Sequence, residues 1–205
     1  MSIRSVFQSF HVARARIRGD RATEQVEQFY KTRVPNRSRL IDIQPDIGIQ
    51  IERSVGFPDQ TLDTYLSIGM SRYLLQDAKS KQRCRCEYSL TVSNKYNIEF
   101  ASILADIVKA TVASLTAIGF GSTCQYSFPR AHALTVEGFL SWSGIWLQSD
   151  KISMGDVGGV PILLLELVPI TKGELHQVNY HLDEFMSDTA SGQIDLLNLQ
   201  RVTEV

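Results

Sequence analysis

An almost unbroken apolar run, PILLLELVPI at residues 161–170, constrains the fold more than any other feature of the chain. Glu166 is its one ionisable residue. A run of this kind is typical of a strand that is buried on both faces. It is also far short of the roughly 18 residues that a membrane-spanning helix needs. We therefore expect residues 161–170 to form a central strand of a sheet, with no membrane partner.

The segment after this strand is dense in ionisable groups, and it is the first place to look for chemistry. Thr171 and Glu174 have the three-residue spacing of a capping box, which explains Glu174 without catalysis. A helix is expected from about Leu175 to Met186. On that helix His176 and His181 would be separated by about 140° around the axis, so they would not bind one metal together.

The other segments alternate between strand and helix patterns. RCRCEYSLTV at residues 83–92 alternates strictly, which predicts a strand with one buried face and one wet face. The expected buried residues are Cys84, Cys86, Tyr88, Leu90 and Val92; the expected wet ones are Arg83, Arg85, Glu87, Ser89 and Thr91. Helical spacing predicts one helix after Asp20 or Thr23 and another that ends at Gly119. The fold class is therefore α/β (α+β), a mixed β-sheet flanked by helices.

Charge is unevenly distributed along the 205 residues, although the net charge is only −1. Residues 1–39 carry nine Lys and Arg against three acids, whereas residues 171–205 carry two against six. We expect residues 1–39 to be a basic N-terminal segment packed on or extending a domain at residues 40–205. The basic stretch has no recognised nucleic-acid fold signature, so nucleic acid is not an expected partner.

The three cysteines, Cys84, Cys86 and Cys124, have no spacing typical of a disulfide framework or a zinc site. They are expected to be reduced thiols. The N-terminal segment has no apolar core of a secretory signal. Together these features predict a cytoplasmic protein without a metal or other cofactor.

Two alternatives to a binding protein remain open. The first is a hydrolase or metal-dependent enzyme that uses Ser71 or the segment with His176 and His181. Gly69-Met70-Ser71 lacks the G-x-S-x-G spacing of a hydrolase nucleophile, and His11 and His132 stand alone. The second alternative is a structural homo-oligomeric module with an interface at Trp142 and Trp146.

Four segments in order resemble the suppressor-of-fused (SUFU) domain family. They resemble the family's glycine-methionine-serine turn, its glutamate-bearing strand, its central helix and its proline-isoleucine-threonine ending, and the resemblance spans about residues 40–190, which is most of the chain. The segments are TYLSIGMS at 64–71, CEYSL at 86–90, AIGFGST at 117–123 and LVPITKGEL at 167–175. The family-motif residues carried over are Gly69, Met70, Ser71, Glu87, Pro169, Thr171 and Glu174. Arg72 departs from the family pattern, which often has an acidic residue there.

The resemblance implies a mixed α/β fold, no enzymatic activity and a protein partner. The chain resembles the bacterial single-domain type, many members of which are thought to be immunity proteins that neutralise a cognate toxin. We therefore expect stoichiometric binding to another protein, with no catalytic residue; the oligomeric state stays open. The partner-binding residues we expect are Arg72, Tyr73, Asp183, Glu184 and Asp188.

Overall fold

The computed structural model describes residues 19–44, 48–96, 98–128, 134–143 and 153–201. Within these ranges the chain forms ten strands and four helices. The strands are β1 (Arg37–Gln44), β2 (Ile49–Val55), β3 (Leu62–Ile68), β4 (Leu75–Asp77), β5 (Arg83–Ser93), β6 (Thr116–Ala117), β7 (Thr123–Gln125), β8 (Val136–Trp142), β9 (Ser153–Asp156) and β10 (Pro161–Thr171). The helices are α1 (19–33), α2 (Phe100–Ser114), α3 (Lys172–Tyr180) and α4 (Leu182–Ala190).

One mixed sheet organises the molecule. Seven strands lie in the order β1-β2-β3-β5-β10-β8-β7, and β4, β6 and β9 join at its sides. β5 and β10 run parallel, whereas their outer neighbours β3 and β8 are antiparallel to them. The apolar run of β10 thus lies at the centre of the sheet, as predicted. The predicted α+β class is confirmed.

Helices cover both faces of the sheet. α2 buries Phe100, Leu104 and Val108 against the β5 face that carries Tyr88 and Leu90. On the opposite face α1 packs on β3 and β10, and α3 and α4 pack on β8 and the end of β10. Each described helix is too short or too polar to cross a bilayer.

The predicted wet face of β5 is wrong. Of its five residues only Arg83 is exposed; Arg85, Glu87, Ser89 and Thr91 are buried. These side chains lie on the side of the sheet that α1 covers, and they find partners there. The Thr91 hydroxyl, for example, lies 3.0 Å from the Thr64 hydroxyl of β3. The polar positions of this alternating pattern therefore form a row of buried polar side chains and not a surface in contact with water.

Two predicted helix limits are also wrong. α2 ends at Ser114, because Leu115 adopts a left-handed backbone with φ of 52° and the chain continues into β6. Gly119 lies beyond that strand. The helix expected over residues 175–186 is two helices, since His181 leaves helical geometry with φ of −139° and ψ of 49°.

The basic N-terminal segment enters the described structure at α1. Ala22, Val26, Tyr30 and Val34 are buried against β3 and β10, so this helix forms part of the core. β1 begins at Arg37, just before the expected boundary at residue 40. Residues 1–18 lie outside the described residues.

Candidate functional site

The buried carboxylate of Glu87 organises the Gly69-Met70-Ser71 turn. Glu87 lies on β5 and is 0% exposed. Its Oε1 accepts hydrogen bonds of 2.9 Å from the backbone N–H groups of Gly69 and Ser71. Its Oε2 accepts from the Ser67 hydroxyl at 2.6 Å and from the Met70 N–H at 3.3 Å. Burial raises the pKa of Glu87, and these hydrogen bonds oppose that rise.

Glycine is required at the first position of this turn. Gly69 has φ of +95°, a conformation that costs other residues about 1–2 kcal/mol. A Cβ at Gly69 would also lie 2.3 Å from the carbonyl oxygen of Gly48. The backbone can therefore wrap the Glu87 carboxylate only without a side chain here.

Gly69→Ala is expected to lower the free energy of unfolding by about 3 kcal/mol, through backbone strain and the clash with Gly48. Gly192→Ala is the matched control: Gly192 also has positive φ, of +80°, but nothing lies within 4 Å of its Cβ position. The control should cost about 1 kcal/mol. Urea denaturation measures both, and equal losses would show that the close approach to Gly48 is unimportant.

Two arginines hold the exit of the turn. Arg85 of β5 donates from Nη1 to the carbonyls of Ser71 and Arg72, at 2.8 and 2.6 Å. Arg72 donates from Nε to the Thr23 hydroxyl of α1 at 3.3 Å, and its Nη1 lies 3.6 Å from Asp20. The turn is thus joined to both the sheet and α1.

The second motif surrounds Glu174 at the end of β10. Thr171 and Glu174 form the predicted capping box at the start of α3. Glu174 is also fully buried, and it accepts hydrogen bonds of 2.7 and 2.6 Å from Nε and Nη2 of Arg201. Arg201 Nη2 donates in addition to the Pro169 carbonyl at 2.7 Å. The motif therefore fixes the C-terminal segment against β10.

The expected partner-binding residues fall in two separate elements. Arg72 and Tyr73 follow the turn and are half-buried; the Tyr73 hydroxyl donates to Gln44 at 3.3 Å. Asp183 and Glu184 are exposed in the first turn of α4. Asp188 is half-buried and accepts a hydrogen bond of 3.2 Å from Gln177 of α3.

The candidate catalytic side chains do not converge. Ser71 is fully buried inside the turn on Glu87, whereas His176 and His181 are exposed. His176 contacts Tyr180, and His181 lies 4.0 Å from Glu184. The part of the chain that the structure describes brings no three His, Cys, Asp or Glu side chains together as metal ligands. His11 and His132 lie outside that part.

Trp142, expected at an oligomer interface, stacks on Phe120 with ring centroids 4.3 Å apart. Trp146 lies outside the described residues. The cysteines carry free thiols. Burial raises the pKa of the Cys124 thiol to about 11, so this side chain is protonated at neutral pH.

The sequence does not predict the burial of three charged side chains, Arg85, Glu87 and Arg201. Arg85 and Glu87 are expected on the wet face of β5, and nothing near Arg201 in the sequence indicates its partner. Glu166 accepts a hydrogen bond of 3.1 Å from the Thr91 N–H. Its position inside an apolar run was the one available signal of burial.

Solved structures share this fold. A crystal structure of a SUFU (suppressor of fused protein) homologue from Neisseria gonorrhoeae matches with a TM-score of 0.61 and 18% identity, over 89% of this chain and 93% of the other. A chain in the crystal structure of the Sufu–Fu complex matches with a TM-score of 0.52 and 16% identity, over 90% and 98% of the two chains. A comparison with protein-family models finds no match, and a sequence search of curated proteins finds none. The chain therefore has the fold of a SUFU-like domain, as the four sequence segments predicted.

Proposed function

We propose that the chain is a non-enzymatic protein-binding domain of the suppressor-of-fused family. The carrying observation is the fold likeness, which extends over most of both chains in each comparison. One of the similar chains comes from a complex between two proteins, Sufu and Fu. The two buried motif carboxylates support this proposal, because each is engaged in holding the fold: Glu87 accepts from backbone N–H groups of the turn, and Glu174 accepts from the Arg201 side chain of the C-terminal segment.

The specific role we propose is that of a bacterial, cytoplasmic immunity protein. It would bind a cognate toxin stoichiometrically and cover the toxin's active site. The charge of the C-terminal segment supports a basic toxin as partner, since residues 171–205 carry six acids and two basic residues. The free thiols agree with a reducing compartment.

The surface we assign to this partner is the exposed start of α4. Asp183 and Glu184 are exposed there, next to Tyr180, whose side chain is 72% exposed at the end of α3. Tyrosine is enriched in protein interfaces, and the carboxylates beside it would complement the charge of a basic partner. Asp188 extends this acidic surface along α4. Arg72 and Tyr73, which follow the Gly69-Met70-Ser71 turn, remain a second predicted contact.

Co-expression with the product of the neighbouring gene tests this role. We expect a 1:1 complex on gel filtration and restored growth of cells that express the toxin. A neighbouring protein that is toxic but neither binds nor is neutralised would contradict the immunity role.

Charge reversal of the acidic surface gives a sharper prediction. The double substitution Asp183→Lys with Glu184→Lys is expected to weaken partner binding at least about tenfold, mainly by slowing association at low salt. Glu24→Lys with Glu137→Lys is the matched control, because both are exposed acids outside this surface and the double substitution changes the net charge by the same amount. Binding kinetics at two salt concentrations measure the effect. Equal losses in both variants would mean that only net charge matters.

A further inference from the structure

A cavity of about 360 Å³ opens beside the C-terminal half of α2. Ile107 and Thr111 of α2 form one wall, and Ala117, Ile118 and Cys124 form the other. Its lining is almost entirely apolar. A volume in this range, with few polar groups, is typical of sites that take an apolar ligand group.

Leu115, next in sequence to a residue that lines the cavity, is exposed and has an unfavourable backbone conformation. Leu115 lies between the rim residues Ser114 and Thr116, and its side chain is 49% exposed. Its backbone is left-handed, with φ of 52°. A glycine would end α2 without either cost, so the position is not explained by helix termination. An exposed apolar side chain between two lining residues in sequence adds to the apolar surface near the cavity.

The charge of the cavity lining is negative. Asp106 is the one charged side chain among the described residues that line it. The Tyr126 ring lies beside this carboxylate, and burial together with the Asp106 charge raises the pKa of Tyr126. Lys109 approaches Asp106 to 3.5 Å from outside the lining; because both side chains are exposed, this ion pair contributes little stability, and a cation of a partner can replace Lys109.

The thiol in the wall does not change this chemistry. Cys124 is half-buried, and burial raises its pKa to about 11, which keeps it protonated at neutral pH. It therefore acts as a small apolar group and not as a nucleophile. The occupant of the cavity is expected to bind without a covalent bond.

We propose that this cavity is the anchor site for the partner protein, and that it takes one tryptophan or phenylalanine side chain from a basic segment. The apolar lining receives the ring, and Asp106 receives a Lys or Arg next to the ring in the partner's sequence. Aromatic and arginine residues are the commonest anchors of protein interfaces, and they bind in pockets of this kind. This assignment rests on the proposed protein-binding function and adds the chemistry of the partner's contact segment.

Three capped peptides test the anchor cavity directly: Lys-Trp-Lys, Glu-Trp-Glu and Lys-Ala-Lys. The readout is the methyl NMR spectrum of isoleucine-labelled protein, in which Ile107 and Ile118 report on the cavity and Ile194 serves as a distant control. Lys-Trp-Lys is expected to shift the two cavity methyls at millimolar concentration. Glu-Trp-Glu should bind about fivefold more weakly, and Asp106→Asn should remove that difference.

Two variants of α2 separate cavity binding from surface adhesion. Ala110→Trp places a ring over the cavity, and it should abolish the shifts. Ser102→Trp adds the same ring about 12 Å earlier along α2, outside the cavity lining, and it should preserve them. Unchanged cavity methyls with Lys-Trp-Lys, or equal shifts with Lys-Ala-Lys, would overturn the assignment.

The outcome also distinguishes the anchor site from the proposed function. A cognate partner that binds Ala110→Trp as tightly as the unaltered protein would overturn the anchor site and leave protein binding intact. Cavity methyls that respond to Lys-Trp-Lys, in a protein that forms no complex with its neighbour's product, would support the basic aromatic specificity and count against the immunity role.

Discussion

Glu87→Ala is expected to lower the free energy of unfolding by about 3–5 kcal/mol, measured by urea denaturation. The carboxylate accepts four hydrogen bonds, from the Ser67 hydroxyl and from the N–H groups of Gly69, Met70 and Ser71. In the alanine variant these buried donors lose their acceptor, and no water reaches them without disrupting the cover that α1 provides. Such unsatisfied groups cost more than the hydrogen bonds themselves contribute.

Glu87→Gln is a milder variant that isolates the role of charge. Its amide oxygen can still accept from Gly69 and Ser71, so the loss should be about 1–2 kcal/mol. Because burial raises the pKa of Glu87, the folded state binds its proton more tightly than the unfolded state. The stability of the unaltered protein relative to Glu87→Gln should therefore fall as pH rises from the ordinary carboxyl value of 4.5 towards the higher folded value.

A matched control identifies what the Glu87 variants measure. Glu137 is an exposed glutamate on β8, and Glu137→Ala should change stability by less than about 0.5 kcal/mol. A small loss in Glu87→Ala, similar to that of the control, would contradict the role of Glu87 as the acceptor that holds the turn.

The elements that could be predicted from sequence are those whose signal is local. The apolar run of β10 needs burial on both faces wherever it lies, and the Thr171–Glu174 spacing forms its capping box within one helical turn. The four motif segments pointed to the SUFU-like fold because their order along the chain is itself informative. These predictions required no knowledge of which elements meet in space.

The errors have a common physical cause in contacts between distant segments. Polar alternation in β5 cannot distinguish water from a buried partner, and the partners of Arg85 are carbonyls of another loop. α2 stops at Leu115 because the next residues pair with β4, although leucine has no preference for a left-handed backbone. Gly119, the expected helix end, is instead needed where a Cβ would lie 1.5 Å from Asp77. The apolar spacing continues across His181, so it predicts one helix where the structure has α3 and α4.

The expected contact residues also differ in whether a local pattern or a distant segment determines their environment. Asp183 and Glu184 are expected contact residues on a helix, and both are exposed in the structure. Arg72 was considered only as a surface contact, yet it also joins the turn to α1 through Thr23. Exposure of helix charges follows from a local pattern, whereas the pairing of Arg72 depends on a helix 49 residues away in sequence.

Arg201→Ala is expected to cost about 3–5 kcal/mol, because it leaves the Glu174 carboxylate buried without its cation. The guanidinium makes two hydrogen bonds to Glu174 and one to Pro169, and its Nη1 donates to Asn198 at 3.0 Å. Its loss should therefore release residues 191–201 from β10 before the rest of the domain unfolds. Hydrogen exchange is expected to rise first at the amide of Leu199, which donates to the Tyr96 hydroxyl.

Arg83→Ala removes an exposed arginine from β5 and should leave stability within about 0.5 kcal/mol, which makes it the matched control. The double variant Glu174→Gln with Arg201→Met gives the decisive comparison. Since the cost of Arg201→Ala arises from an uncompensated buried charge, replacing both partners with uncharged side chains should recover part of the lost stability. A double variant that is less stable than Arg201→Ala would mean that the ion pair itself, and not the unpaired carboxylate, dominates the stability at this end of β10.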